Sequence, residues 1–278
     1  MIDRKRFSLN RIVAPSLRLA EFYDLASSLG IGKVELRNDI GGKDPIDGLK
    51  PAEAARMAAE RGIRVISINA LQKFNLASAR VKANEDLVDL IAMATAIGCP
   101  AIVLCPNNEA DDSRSPAQRM LETVDALKAF GPAFEKAGLL GYIEPLGFSI
   151  SSLASLVNAQ EAIRKSGFAC YKIVHDTFHH HIGPEDLTVL GKSYDVSFTG
   201  LVHVSGVEVD IPVEAYRDAH RILVGPADRM KNREQIVRLD SLGYKGDYSF
   251  EAFSPSIQAL PEAELRAAIE KSLSFLCS

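Results

Sequence analysis

The chain has 278 residues, 47% hydrophobic and 24% charged, an ordinary globular composition that excludes disorder and supplies ample material for a core. Thirty-two Lys and Arg against 36 Asp and Glu give a net charge of −4, and no basic cluster follows one face or segment, which argues against a nucleic-acid partner. Four cysteines form no CxxC pair, the basic start MIDRKRFSLNRIV has no apolar region behind it, and no run reaches about eighteen apolar residues, so the expected protein is cytoplasmic, neither secreted nor membrane-spanning.

Short apolar runs with strand character fall at Phe7–Asn10, Lys33–Arg37, Arg64–Asn69, Ala101–Cys105, Leu140–Glu144, Tyr171–Asp176, Gly200–His203 and Asp247–Glu251. Between them the period changes to that of a helix. In PSLRLAEFYDLASSLG, Leu19, Phe22, Leu25, Ala26 and Leu29 recur at spacings of three and four before Gly30, a C-cap residue. NEDLVDLIAMATAIG repeats the design before Gly98, and SPAQRMLETVDALKAFGPAFEKAG opens on Ser115 as N-cap with Pro116 in the first turn, then closes on Gly138. A last helix is expected from Pro261 to Leu276. LVGPADRMKN, after the seventh strand, reads as a rim loop or lid.

Strand and helix alternating over the full length imply a parallel sheet with right-handed crossovers, and eight such units close into a barrel. An open doubly wound sheet would want a glycine-rich phosphate turn after the first strand, and SLNRIVAPSLRL has none. No Pro/Gly-rich linker divides the chain. The expected fold is therefore α/β, a single-domain (β/α)8 TIM barrel over residues 1–278.

In such a barrel the active site lies at the C-terminal rim, where the ends of different strands converge. Glu144, Asp176, His203 and Glu251 end the fifth to eighth strands. A lone acid there also serves as a helix cap or an ion-pair partner. Three carboxylates meeting in a dry pocket repel one another unless a cation compensates, and a divalent ion is the economical remedy. Three oxygen donors and one imidazole suit Mn²⁺, Mg²⁺, Co²⁺ or Zn²⁺, with Mn²⁺ favoured here, and the absence of a thiolate disfavours a structural zinc site.

Other polar residues fall at or just past strand ends. Glu35 and Arg37 share one face of the second strand, and with Asn10, Asn69 and Gln72 they are candidates to hold substrate hydroxyls, although Glu35 and Arg37 could equally pair with each other. His175 has the parity opposite to Asp176 and is expected against the helix layer. Read as extended chain, His179–His181 cannot all converge. His179 and His181 are candidate substrate contacts, and His180 and His220 read as surface residues. Cys105 reads as a small buried apolar residue rather than a nucleophile.

At these residues the sequence resembles the xylose isomerase-like TIM-barrel superfamily of sugar isomerases and epimerases, over nearly the whole chain. YIEPLG, HDTFHHHIG, LVHVSG and YKGDYSFEAF match the family's four metal-ligand segments, which implies Glu144, Asp176, His203 and Glu251 as ligands. Within the family the sequence resembles the 2-keto-myo-inositol (inosose) isomerase group, with ketose 3-epimerases of the tagatose and psicose type as near relatives. In those epimerases two glutamates bind the metal and also shuttle a proton on opposite faces of the substrate, roles that the resemblance gives to Glu144 and Glu251. The family's DTFH histidine, which contacts a substrate oxygen, matches His179. The epimerases also carry an arginine six residues after the histidine ligand. Here Val209 stands at that place between Glu208 and Asp210, which leaves the substrate open.

The expected activity is a divalent-metal-dependent isomerase or epimerase of a polyhydroxy ketone, a keto-inositol or a ketose, in inositol or other carbohydrate catabolism. Hydrogen beside a ketone is weakly acidic, so the metal must stabilise the enediolate while a glutamate takes the proton. The alternatives are a metal-dependent dehydratase similar to the dehydroshikimate dehydratases and a carbohydrate-binding barrel without turnover. Homo-oligomerisation is left open.

Overall fold

The period-two apolar runs pair side by side as the alternation requires. In the computed structural model, which describes residues 2–41 and 44–278, eight strands close in sequence order. They are β1 (Phe7–Asn10), β2 (Lys33–Arg37), β3 (Arg64–Leu71), β4 (Ala101–Leu104), β5 (Leu140–Ile143), β6 (Tyr171–Asp176), β7 (Thr199–Val204) and β8 (Asp247–Phe250). Every pair is parallel, and β8 returns to β1 with Phe7 opposite Tyr248 and Leu9 opposite Phe250.

Helices fill the connections: α1 (Leu19–Ser28), α2 (Pro51–Glu60), α3 (Arg80–Ile97), α4 (Pro116–Ala137), α5 (Leu156–Ser166), α6 (Thr177–Ile182), α7 (Asn232–Ser241), α8 (Pro255–Gln258) and α9 (Glu262–Cys277). Their ends follow the local chemistry. Ser115 Oγ accepts from the Gln118 amide at 3.2 Å to start α4, and Gly138 at φ 67° ends it in the left-handed region that disfavours a Cβ. None of the helices formed by the described residues is long and apolar enough to cross a membrane.

Strand parity divides the apolar side chains into two cores. Ile102 and Leu104 face outward into the large cluster under the helices, whereas Val103 and Cys105 face the lumen with Ile66, Val174, Leu201 and Tyr142. Phe134 of α4 belongs to the outer core and meets Tyr171 edge-on at 5.7 Å. Truncating it to Ala would cost about 3–5 kcal/mol. The lumen residues aim the polar strand ends, because two positions beyond Tyr142, Val174 and Leu201, on the same face, stand Glu144, Asp176 and His203.

Between β2 and β3 the register shifts after Val34, so that Glu35 lies opposite Ser67 and Arg37 opposite Asn69. That bulge brings Ser67 and Asn69 to Glu35 inside the barrel. One close approach outside the barrel also matters: a Cβ on Gly147 would lie 2.0 Å from the His179 carbonyl oxygen. Only glycine lets the loop after β5 sit against α6.

Candidate metal centre

Two residues of the centre sit just past their strands and two at strand ends. Glu144 follows β5 and Glu251 follows β8, while Asp176 ends β6 and His203 lies near the end of β7. One ligand atom from each can be chosen so that all four lie within 4.8 Å of one another, and all four residues are buried. His203 Nδ1 is 2.8 Å from Glu144 Oε1, 3.1 Å from Glu251 Oε2 and 4.0 Å from Asp176 Oδ2. The convergence expected from four separate strand ends is therefore present.

Each carboxylate is held differently. Asp176 caps α6, its Oδ1 accepting from the Phe178 and His179 amides at 2.7 and 3.3 Å, while Oδ2 accepts from Arg221 at 2.6 Å. Glu251 accepts from Arg37 Nη1 at 2.7 Å and Asn10 Nδ2 at 3.2 Å through Oε1, and from Arg221 Nη2 at 2.8 Å through Oε2. Among the described residues no guanidinium bonds Glu144; beyond His203 its partner is the Cys105 thiol at 3.6 Å.

These surroundings separate the carboxylates electrostatically. Burial raises the Glu144 pKa and the charges of Glu251 and Asp176 add to the effect, against the pull of His203. Burial likewise pushes Asp176 up to about 6, although Arg221 opposes it. Glu251 is also desolvated, yet His203, Arg221 and Arg37 hold it well below the ordinary carboxylate range. For His203, burial disfavours the cation, but Glu251, Glu35 and Glu144 outweigh it and raise the imidazole well above its usual value. Burial and the Glu144 charge keep the Cys105 thiol protonated, as expected of a residue that is not a nucleophile.

A divalent ion fits this donor set. The buried carboxylates of Glu35, Glu144, Asp176 and Glu251 outnumber the buried guanidiniums beside them, Arg37 and Arg221, by four to two. Two negative charges remain when His203 is neutral, and a dication cancels them. With no ion bound, an imidazolium at His203 makes up part of the difference. Oxygen and imidazole donors without thiolate agree with Mn²⁺, Mg²⁺, Co²⁺ or Zn²⁺.

The remaining expected residues divide by depth. Glu35 and Asn69 are 0% and 1% exposed and bond to each other at 2.9 Å beneath the centre. Asn10 bridges Glu35 and Glu251 through Nδ2 at 3.3 and 3.2 Å. Arg37 pairs not with Glu35 but with Asp39, in a bidentate contact at 2.7 Å on both arms, and with Glu251. Gln72 is exposed at the rim, 3.5 Å from Asp39.

The histidine run departs from the extended chain expected for it. His179, His180 and His181 lie on α6, because Asp176 caps a helical turn there, so their rings diverge by helical rather than strand geometry. His179 is buried between Phe148 and Phe178, at ring distances of 5.2 and 5.3 Å, and its Nδ1 has no hydrogen-bond partner among the described residues. Burial and Arg221 lower its pKa to about 4. His181 stacks on Tyr216 at 6.1 Å, outside the cluster of acids. His180, expected at the surface, is instead buried against His175 at 4.8 Å, since the fourth position of this short helix turns back toward the barrel. His220 is half-buried and its Nδ1 accepts from the Arg217 amide. His175 packs outward as parity requires, 3.0 Å from Gln235 of α7.

Arg221 is the residue that sequence reasoning misses. It is 1% exposed, and its guanidinium stacks on Phe178 and Phe253 at 4.9 and 4.6 Å while it bonds Asp176 and Glu251. A loop arginine has no periodicity to betray its reach. The only signal is chemical: two strand-end acids with no cation assigned to them. The segment LVGPADRMKN, read as a rim loop, begins directly after Ile222 and leads into α7.

Comparison with known proteins agrees with the fold. A xylose isomerase domain-containing protein of Salmonella typhimurium LT2 is 37% identical, with a TM-score of 0.93, over 100% of this chain and 99% of that one. The IolI protein, solved with a bound zinc atom, has a TM-score of 0.89 at 18% identity over 98% and 97% of the two chains. D-psicose 3-epimerase of Clostridium cellulolyticum H10, solved with D-tagatose, has a TM-score of 0.76 at 14% identity over 98% of each chain. No curated protein matches the chain. Residues 23–278 match the model of the xylose isomerase-like TIM barrel, and it is to this family that the chain belongs.

Proposed function

We propose that the protein is a divalent-cation-dependent isomerase or epimerase of a polyhydroxy ketone, with a keto-inositol favoured over an open ketose. The observation that carries this reading is the meeting of Glu144, Asp176, His203 and Glu251 within 4.8 Å in the barrel mouth. A cation bound there would polarise the substrate carbonyl as a Lewis acid and favour loss of the neighbouring proton. The zinc bound by IolI and the sugar bound by D-psicose 3-epimerase, on the same fold, support the assignment.

The chain supplies the proton carriers. Glu144 and Glu251 reach His203 from β5 and β8, three strands apart around the barrel. Two carboxylates so placed can serve two positions of one substrate, one taking a proton from carbon and the other returning it. Such assistance is worth about 10²–10⁴-fold in rate. Arg37, Asn10 and Arg221 fix the Glu251 carboxylate, so its position costs no reorganisation during the reaction. His179, whose Nδ1 has no partner among the described residues, is suited to hydrogen-bond a substrate oxygen.

The test is exchange of substrate C–H with deuterated water, followed by NMR over a panel of inososes and ketoses with Mn²⁺ present. The wild type should exchange at least one position, and Glu144→Gln and Glu251→Gln should each abolish exchange while the fold persists. Undiminished exchange in both variants would remove the acid–base assignment. Growth of an enone absorbance would mark elimination instead.

A further inference from the structure

An imidazole binds a cation through the nitrogen that carries no proton, so a histidine ligand binds best when something holds the proton on the other nitrogen and fixes the ring. His203 Nδ1 faces Glu144 and Glu251, and Nε2 faces Glu35 Oε2 at 3.1 Å. We propose that Glu35 is a positioning residue: its buried carboxylate accepts the Nε2 proton of His203, fixes the ring and keeps Nδ1 as the lone-pair nitrogen presented to the cation. This rests on the cation site proposed above, and it assigns Glu35 a place behind that site rather than on the substrate.

The geometry leaves Glu35 little else to do. It lies within β2 rather than on a loop and is 0% exposed. Oε2 also accepts from Ser67 Oγ at 2.5 Å and Asn69 Nδ2 at 2.9 Å, and Oε1 accepts from Asn10 Nδ2 at 3.3 Å. With donors from β1, β3 and β7 around it, the carboxylate can neither turn out to the mouth nor pair with a substrate hydroxyl. The β2–β3 bulge that aligns Glu35 with Ser67 thus acquires a purpose. Asn10 joins this layer to Glu251, so two of the four ligands are oriented through one polar network.

The experiment titrates metal-free wild type, Glu35→Gln and Ser67→Ala with Mn²⁺ by calorimetry, with the folded fraction followed by circular dichroism. Glutamine keeps the size but presents one acceptor oxygen to several competing donors. Folded Glu35→Gln is expected to bind Mn²⁺ about 10–100-fold more weakly. Ser67→Ala loses a bond to Glu35 yet keeps the His203 contact, and is expected to lose stability while retaining wild-type affinity. Wild-type affinity in folded Glu35→Gln would overturn the proposal and leave the cation site intact. A wild type that binds no divalent ion would overturn the cation site itself. Should Glu35→Gln not fold, ¹⁵N NMR of the zinc-loaded wild type reads the ring directly. A protonated His203 Nε2 is the expected result, and a protonated Nδ1 would contradict it.

Discussion

Arg221 Nη2 lies 2.6 Å from Asp176 Oδ2 across the mouth of the barrel, and the same nitrogen donates to Glu251 at 2.8 Å. The guanidinium therefore shares the carboxylates that the cation would use. Removing one partner of a buried ion pair costs about 3–5 kcal/mol, because the other charge stays buried and unpaired. Arg221→Met should lower the melting temperature of the metal-free protein sharply. Saturating Mn²⁺ should recover more stability in this variant than in the wild type, since the added charge compensates the orphaned acids. Thermal melts with and without Mn²⁺ check both statements.

Cation binding should also release protons. The acids around His203 raise its pKa well above the usual value, so at neutral pH the free site holds an imidazolium that must lose a proton before Nδ1 can ligate. Calorimetric titration in two buffers of different ionisation enthalpy should show about one proton released per ion bound near pH 7. Equal heats in the two buffers would contradict the protonated free state.

Gly147 makes a structural prediction that reaches the site. A Cβ there would lie 2.0 Å from the His179 carbonyl oxygen and 2.9 Å from the Gly183 nitrogen, so Gly147→Ala must push the loop after β5 away from α6. A loss of about 1–3 kcal/mol is expected, as for other overpacking changes. The larger effect should fall on substrate affinity, through displacement of His179. Denaturant midpoints and KM measured together distinguish the two consequences.

The buried His180 ring gives a pH dependence. Burial, with the neighbouring charges of His175 and His181, lowers its pKa from 6.5 to about 3. In the unfolded chain it would protonate near 6.5, so the unfolded state binds more protons below that pH and stability falls. Its contribution is complete above about 6.5 and disappears progressively as the pH drops toward 3. His180→Phe should flatten the acid limb of a stability-against-pH profile between these values, whereas an unchanged profile would show that the ring protonates without cost.

The barrel is legible in the sequence because its signals are periodic. The strands from Phe7, Lys33 and Tyr171 end where the sequence places them, and the others differ by one or two residues at one end or, for β7, by one at each. Glycine and serine caps mark α3 and α4, since a cap uses local chemistry alone. The four clustered residues, Glu144, Asp176, His203 and Glu251, are legible because each stands at or next to the end of an apolar run, and parity then aims each into the lumen. Depth is not. Two positions along β2 separate Glu35 from Arg37, roughly 6.6 Å of strand, enough to put one beneath the centre and the other at the mouth. The histidine run reads wrongly as extended when Asp176 counts only as a candidate ligand, because its carboxylate caps α6. Arg221 is out of reach because its partners lie far away in sequence and its loop has no period.

The most direct test of the central claim is anomalous diffraction at the zinc edge from crystals soaked in Zn²⁺. One strong peak is predicted in the barrel mouth, about 2.0–2.2 Å from Glu144, Asp176 and Glu251 oxygens and from His203 Nδ1. No peak at that position, or a peak held by other residues while these four still pair only with Arg37, Arg221 and one another, would contradict it.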